Sequence, residues 1–323
     1  MPNAQGFDYF YGALGANDNG TVRFHENNKA VGMTRDMGGL TKLYTDKSID
    51  YLKNKRDPKK PFLRYLAHTM MHTIVDASPK FRGKSKGGLY GDVMEEFDFE
   101  TGRLLDTLDE LKLADNTLVI YTSDNGPWNQ DRYTKRKKGH PAGSIFWGEA
   151  GPLRNGKGSP YEAGYRLPCI VRWPGKVPAG KVDKTAILSA VDLLPTFCEL
   201  AEVKLPKGYK PDGVSQVKAL MGKGSSLREK PLFWKSGAAW PPRPTKPDHW
   251  VSFAVVHRQW KLVTNAKGDH LELFDLVKDP YEKADLKDTN PKVVKELSQL
   301  LEEWKATLPA KPTGKVFSNL RKK

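Results

Sequence analysis

Asp124 and Asn125 stand side by side in Ser123-Asp124-Asn125-Gly126-Pro127, directly after the apolar, β-branched run Thr117-Leu118-Val119-Ile120-Tyr121-Thr122. A carboxylate beside a carboxamide offers two hard oxygen ligands, suited to Ca²⁺ or Mg²⁺ rather than to zinc. The same five residues also make a good turn in their own right. His68 and His72 follow a second strand-like run, Phe62-Leu63-Arg64-Tyr65-Leu66-Ala67. In open α/β sheets, ligands bind beyond the carboxyl ends of the strands, where both sets of polar groups would lie. Lys157 closes Gly151-Pro152-Leu153-Arg154-Asn155-Gly156-Lys157, which has the spacing of a phosphate-binding loop as far as its lysine. Gly158 then stands where such a loop needs a Mg²⁺-binding hydroxyl, and no strand-like run precedes Gly151, so that motif is excluded. Lys157 remains either a surface lysine or a point cation between glycines able to hold a tetrahedral oxyanion.

The elements that must position these groups alternate along the chain. A strand over 62–67 is followed by a helix over about 91–112, whose Val93, Phe97, Leu104, Leu108 and Leu111 recur at helical spacing. Asp115-Asn116 turns the chain into a buried strand over 117–122. A strand near 168–173 and a helix near 191–201 continue the alternation, which is the α/β pattern of a largely parallel sheet flanked by helices. Residues 1–40, rich in Gly and Asn, read as loop. Composition shifts at Lys204-Leu205-Pro206-Lys207-Gly208, so residues 1–205 and 206–323 read as two domains. The second is a smaller α+β domain, with strands at 251–256 and 261–264 and a helix over about 291–308.

With 38% hydrophobic and 10% aromatic residues, the chain can bury a sizeable core. No apolar run approaches the roughly 20 residues of a membrane span, and residues 1–8 lack the pattern of a signal peptide. The two cysteines, Cys169 and Cys198, lie in apolar runs and read as buried free thiols. The net charge of +15 suits polyanions: nucleic acid, anionic lipid or acidic polysaccharide. It is spread along the chain, which favours a solvated basic surface over a specific nucleic-acid site.

Taken together and in order, "PFLRYLAHTMMH", "LADNTLVIYTSDNGP", "GPLRNGKGSPYEAGYRLPCIVRWPG", "SAVDLLPTFCELA" and "LELFDLVKDPYE" closely resemble successive segments of the formylglycine-dependent sulfatases of the alkaline-phosphatase superfamily. The resemblance covers nearly the whole chain. It implies an alkaline-phosphatase-like α/β fold, incomplete at its N-terminal side, and hydrolysis of sulfate esters, perhaps of a polysaccharide. By residue it implies Asp124 and Asn125 as Ca²⁺ ligands, His72 as a contact to the sulfate and its leaving oxygen, and Lys157 as the lysine that holds sulfate oxygens. His140 would be a substrate-side histidine. His68 falls to the core or to support, and Asp275 and Glu282 to structure. Glu162-Ala163-Gly164 departs from the family's Glu-Gly-Gly, at a cost of about 1 kcal/mol if the middle position needs a positive φ. Met70-Met71-His72 replaces the commoner Ala-Pro-His.

The family's nucleophile is a cysteine in Cys-x-Pro/Ala-x-Arg, oxidised to formylglycine. Neither Cys169, before Ile170-Val171-Arg172, nor Cys198, before Glu199-Leu200-Ala201, fits. The family's Asp-Asp pair and its Gly-Lys-Trp-His segment are not in these residues either. The expectation is therefore a chain inactive by itself, with weak or no metal binding and an open sheet edge prone to self-association. Two alternatives share the same residues: a non-catalytic remnant that binds sulfated glycans, and a phosphodiesterase or phosphonate hydrolase of the same superfamily. The family is commonly periplasmic or secreted.

Overall fold

The computed structural model describes residues 1–128, 148–224, 227–236 and 248–309. These fall into two compact units, one built on Met1–Leu118 and one on residues 119–128 and 149 onward. The expected change of domain near residue 205 lies within the second unit.

In the first unit β1 (Tyr11–Ala13), β2 (Val22–Glu26) and β3 (Lys29–Thr34) form an antiparallel meander. Sequence reading took this region for loop. Its Asn residues instead make the tight β2–β3 turn, where Asn27 adopts φ 52°, a left-handed conformation that Asn tolerates and hairpins require. Val22 and Phe24 pack against Leu40 and Tyr44 of α1 (Leu40–Asp50) and Val93 of α2 (Gly88–Glu110). The buried face of α2 also carries Asp92, Glu96 and Glu100. Asp92 accepts the N–H groups of Gly83, Lys84 and Ser85 at 2.7, 3.0 and 2.7 Å, and Glu96 accepts that of Ser78 at 2.8 Å. The helix thus satisfies the loop before it as well as the core.

Phe62–Ala67 is not a strand. Its exposure alternates with period two, with Leu63 and Tyr65 outward at 65% and 73%. It has the pleat of a strand but no ladder partner among the described residues, and a ladder is what makes a strand.

In the second unit β4 (Val119–Thr122) pairs with β5 (Cys169–Arg172) antiparallel, in register from Val119↔Arg172 to Thr122↔Cys169. Every ladder among the described residues is antiparallel, against the largely parallel sheet expected. The local reason is visible between β4 and β5. The chain leaves β4 through Asp124–Pro127 and returns beside the same end through the single turn α3 (Glu162–Tyr165), because Gly126 N–H donates to Gly164 O at 3.0 Å. A return at the end just left reverses the strand direction. Cys169 and Cys198 are free thiols as expected, but neither is buried: Cys169, the first residue of β5, is exposed and Cys198 is half-buried.

Beyond β5 come α4 (Leu193–Leu200), α5 (Val217–Leu220) and a four-stranded sheet. Its strands β6 (Leu232–Lys235), β7 (Phe253–His257), β8 (Trp260–Thr264) and β9 (Leu271–Asp275) run antiparallel in sequence order. Sequence reading missed β6 and β9. One face buries Phe253, Val255, Leu262 and Leu273 under Leu297 and Leu301 of α6 (Pro291–Thr307). The other buries Ala254, Val256, Val263 and Phe274 under Tyr161. This second face seats the segment that carries the site.

Candidate functional site

Asp124 and Asn125 fall at the carboxyl end of β4, as the sequence predicted, and the structure brings Lys157 to them. The Lys157 N–H donates to the Pro127 carbonyl at 2.8 Å, and Gly126 is tied to Gly164 as above. These approaches need bare backbone. A Cβ on Gly126 would lie 1.7 Å from the Ala163 oxygen, and one on Gly164 would lie 2.1 Å from the Ser159 oxygen. Ala163 is fully buried in α3 and lies outside the set of positive-φ residues. The departure from Glu-Gly-Gly therefore carries no conformational cost there; the glycine that cannot change is Gly164.

Asp124 is exposed and has no cation or hydrogen-bond partner among the described residues. Asn125 donates its amide to Gly126 O at 2.9 Å, which leaves Oδ1 as an acceptor. The pair thus offers two hard-oxygen side chains unclaimed among the described residues, which fits part of a Ca²⁺ shell but not the roughly six to eight ligands such an ion takes. Among the described residues, no group of three or more His, Cys, Asp or Glu could hold a metal ion.

Lys157 is half-buried, and its ammonium also has no partner among the described residues. The carboxylates around its loop are engaged elsewhere. Arg154 Nε donates to Asp248 Oδ2 at 3.0 Å and Nη1 to Glu272 Oε2 at 2.9 Å, with the guanidinium 3.9 Å over the Tyr161 ring. Asn155, at φ 69°, adds a 3.1 Å bond to Asp248. Tyr161 OH donates to Glu272 at 2.7 Å. Lys261 Nζ sits 2.8 Å from Glu162 Oε1 and 2.9 Å from Glu282 Oε1. Burial alone would push the Lys261 ammonium down, but the two carboxylates hold it above its ordinary value. Burial pushes the Glu282 carboxyl up. Glu162 is held low against its burial by Lys261 and Arg166. Lys157 is thus left without an ion-pair partner among the described residues, while the other charges around its loop are held in pairs.

His72 belongs to the first unit. Its Nδ1–H donates to Thr73 O at 2.8 Å, so Nε2 is the available nitrogen. Asn17, fully buried, holds the flanking backbone by donating to His72 O and Ile74 O at 3.3 and 3.2 Å. His68 is a core residue, edge-on to Tyr44 and Phe97, with its pKa pushed down to about 4 by burial and then by Arg64. His140 lies outside the described residues. Asp275 accepts the N–H groups of Val277 and Lys278 in a turn, as a structural residue would.

Sequence reasoning missed Arg154, Glu162, Lys261 and Glu272. The available signal was a charged residue at an inward strand position, Lys261 among Trp260–Thr264 and Glu272 among Leu271–Phe274, where an unpaired charge would be costly.

The sulfatase family model matches residues 1–203, and the model for the C-terminal part of N-sulphoglucosamine sulphohydrolase matches residues 156–307. An N-acetylgalactosamine-6-O-sulfatase of Bacteroides thetaiotaomicron is 33% identical over 83% of this chain and 53% of its own length. Human steryl-sulfatase is 30% identical over 87% of this chain and 50% of its own. The chain thus spans about half the length of these curated relatives. Among solved structures, one from work on the metabolism of multiple glycosaminoglycans by Bacteroides thetaiotaomicron superposes with TM-score 0.74 and 29% identity, over 95% of this chain and 74% of that one. A second, Ps i-CgsB in complex with a neocarrahexaose, gives 0.73 and 25% over 94% and 67%. The fold is alkaline-phosphatase-like α/β, as the sequence resemblance implied. On the family match over residues 1–203 and the relatives across most of its length, the chain belongs to the sulfatase family.

Proposed function

We propose that this chain carries the sulfate-holding and part of the metal-holding machinery of a sulfuric ester hydrolase that acts on a sulfated saccharide. The observation that carries the reading is Lys157, a cation without an ion-pair partner among the described residues, whose backbone is bonded to the Asp124–Pro127 turn. Lys157 binds the sulfate oxygens and stabilises charge that grows on them. Asp124 and Asn125 would contribute part of the shell of a Ca²⁺ ion, which would supply Lewis-acid polarisation of the sulfate. His72 is the residue assigned to the leaving oxygen, to stabilise or protonate it, and His140 is assigned as a substrate-side histidine. Residues 1–205 are the catalytic part and 206–323 the smaller α+β part.

Neither cysteine fits the formylglycine motif, so residues 1–323 by themselves are proposed to be inactive. By themselves they bind sulfated glycans. The net charge of +15 favours a polyanionic ligand, and the neocarrahexaose complex of Ps i-CgsB is a saccharide precedent in a related fold. Exposed apolar residues in each unit, Leu63 and Tyr65 in one and Ile170 in the other, support self-association.

The test is a binding series at rising salt with a sulfated galactosamine oligosaccharide, its desulfated form and duplex DNA, beside an assay on an aryl sulfate. Selective binding of the sulfated form that outlasts DNA binding, without turnover, is expected. Equal binding of all three would overturn the saccharide reading, and turnover at enzyme-like rates would overturn the inactivity.

A further inference from the structure

The second face of the C-terminal sheet is apolar except at two places. Val256, Val263 and Phe274 lie under Tyr161. Lys261 and Glu272 share that face, each two residues from one of its apolar members along its own strand, Val263 on β8 and Phe274 on β9. Lys261 is 1% exposed and Glu272 half-buried, so each needs a partner from above.

The partners come from the two ends of one short segment. Glu272 takes Arg154 at 2.9 Å and Tyr161 OH at 2.7 Å. Lys261 takes Glu162 at 2.8 Å. Glu282 fastens the same place twice, accepting the Glu162 N–H at 2.7 Å and holding Lys261 at 2.9 Å. Arg154 stands three residues before Lys157 and Glu162 five after it. Ala163 N–H donates to Arg154 O at 3.1 Å, so the two anchored ends are also bonded to each other. The loop between them is a closed ring of backbone with Lys157 at its middle.

We propose that Lys261 and Glu272 are positioning residues for Lys157. They fix both feet of its loop to a rigid sheet, so that the Lys157 backbone stays bonded to the Asp124–Pro127 turn at Pro127 O and the residue is not free to range as a surface lysine would. The inference rests on the reading of Lys157 as a sulfate ligand. A rigid scaffold is what electrostatic binding of a tetrahedral anion requires, because donors that must reorganise on binding lose much of their effect. The buried ions are otherwise hard to account for, since replacing such a group by neutral residues of like volume is often harmless to stability.

That last point gives the test. In the triple variant Lys261→Met, Glu162→Gln, Glu282→Gln the charges leave together, which avoids the unpaired carboxylates of a single substitution. Two quantities are read by NMR on the full chain: hydrogen exchange of the Lys157 amide, and its shift during titration with inorganic sulfate. The expected result is a variant with wild-type melting, a Lys157 amide that exchanges at least tenfold faster, and sulfate affinity at least tenfold weaker. Glu272→Gln, which keeps an acceptor for Tyr161 OH, is expected to lie between the two proteins. A triple variant with wild-type exchange and wild-type sulfate affinity overturns the proposal. If the variant melts early, Glu272→Gln alone decides, on the same two readouts. A wild-type chain whose Lys157 does not respond to sulfate counts against the sulfate reading instead. The exchange rate then judges the anchoring by itself: faster in the variant supports it, unchanged overturns it.

Discussion

The backbone N–H of Lys157 donates to the carbonyl of Pro127 at 2.8 Å, joining the cationic loop to the turn that holds Asp124 and Asn125. Asn125 stands two residues before Pro127 in sequence, so the candidate ligands and the lysine share one backbone frame. That frame closes only because Gly126 and Gly164 lack side chains. Gly164→Ala is expected to lower stability by about 2–3 kcal/mol, as overpacked sites do. In α2, a Cβ on Gly102 meets nothing within 4 Å, and Gly102→Ala is expected to raise stability by about 0.5–1 kcal/mol. Urea unfolding of both variants checks the pair of signs.

Removing one partner of a buried ion cluster differs from removing an exposed cation. Lys261→Met leaves Glu162 and Glu282 facing each other without their shared ammonium, and a loss of about 3–5 kcal/mol is expected. Lys157→Ala removes a charge with no partner among the described residues, and its effect on stability is expected to stay within about 0.5 kcal/mol. Chemical denaturation at pH 7 distinguishes them; equal losses would contradict the division between scaffold and ligand.

His68 makes stability depend on pH. Its folded pKa of about 4 lies below the ordinary 6.5 because burial disfavours the imidazolium. The unfolded chain therefore binds the proton more readily than the fold. Stability from this group is complete above pH 6.5 and is lost as pH falls from 6.5 towards 4, by about 3 kcal/mol in all. His68→Phe fits the edge-on aromatic site and is expected to flatten that part of the profile. Urea unfolding at pH 7 and pH 4.5 should show a smaller difference for the variant than for the wild type.

Much of this was legible in the sequence where one residue type carried the signal. The helical spacing of Val93, Phe97 and Leu108 marked α2, observed at Gly88–Glu110. The apolar run before Asp124 marked β4. Pairing was not legible: Phe62–Ala67 has strand composition and strand-like alternation but no ladder, and β4 and β5 pair antiparallel. A partner is a property of distant residues, which local pattern does not encode. The scaffold beneath Lys157 was hidden for the same reason. Glu162 and Lys261 are 99 positions apart, and each alone reads as an ordinary surface charge.

Calcium affinity should report how little of a shell Asp124 and Asn125 provide. Isothermal titration of residues 1–323 is expected to give a dissociation constant of about a millimolar or weaker, the range of sites with few charged ligands, and Asp124→Ala is expected to remove what heat there is. Micromolar binding that survives Asp124→Ala would place calcium elsewhere in the chain.

The central claim is that Lys157 holds a sulfate oxygen, and its most direct test is a titration of the chain with inorganic sulfate against chloride at constant ionic strength, followed at the Lys157 amide and side-chain ammonium by NMR. A saturable shift at Lys157 with sulfate but not with chloride, absent in a Lys157→Ala chain that melts like the wild type, is the expected result. Sulfate shifts spread evenly over the surface lysines, with Lys157 no different from the rest, would contradict it.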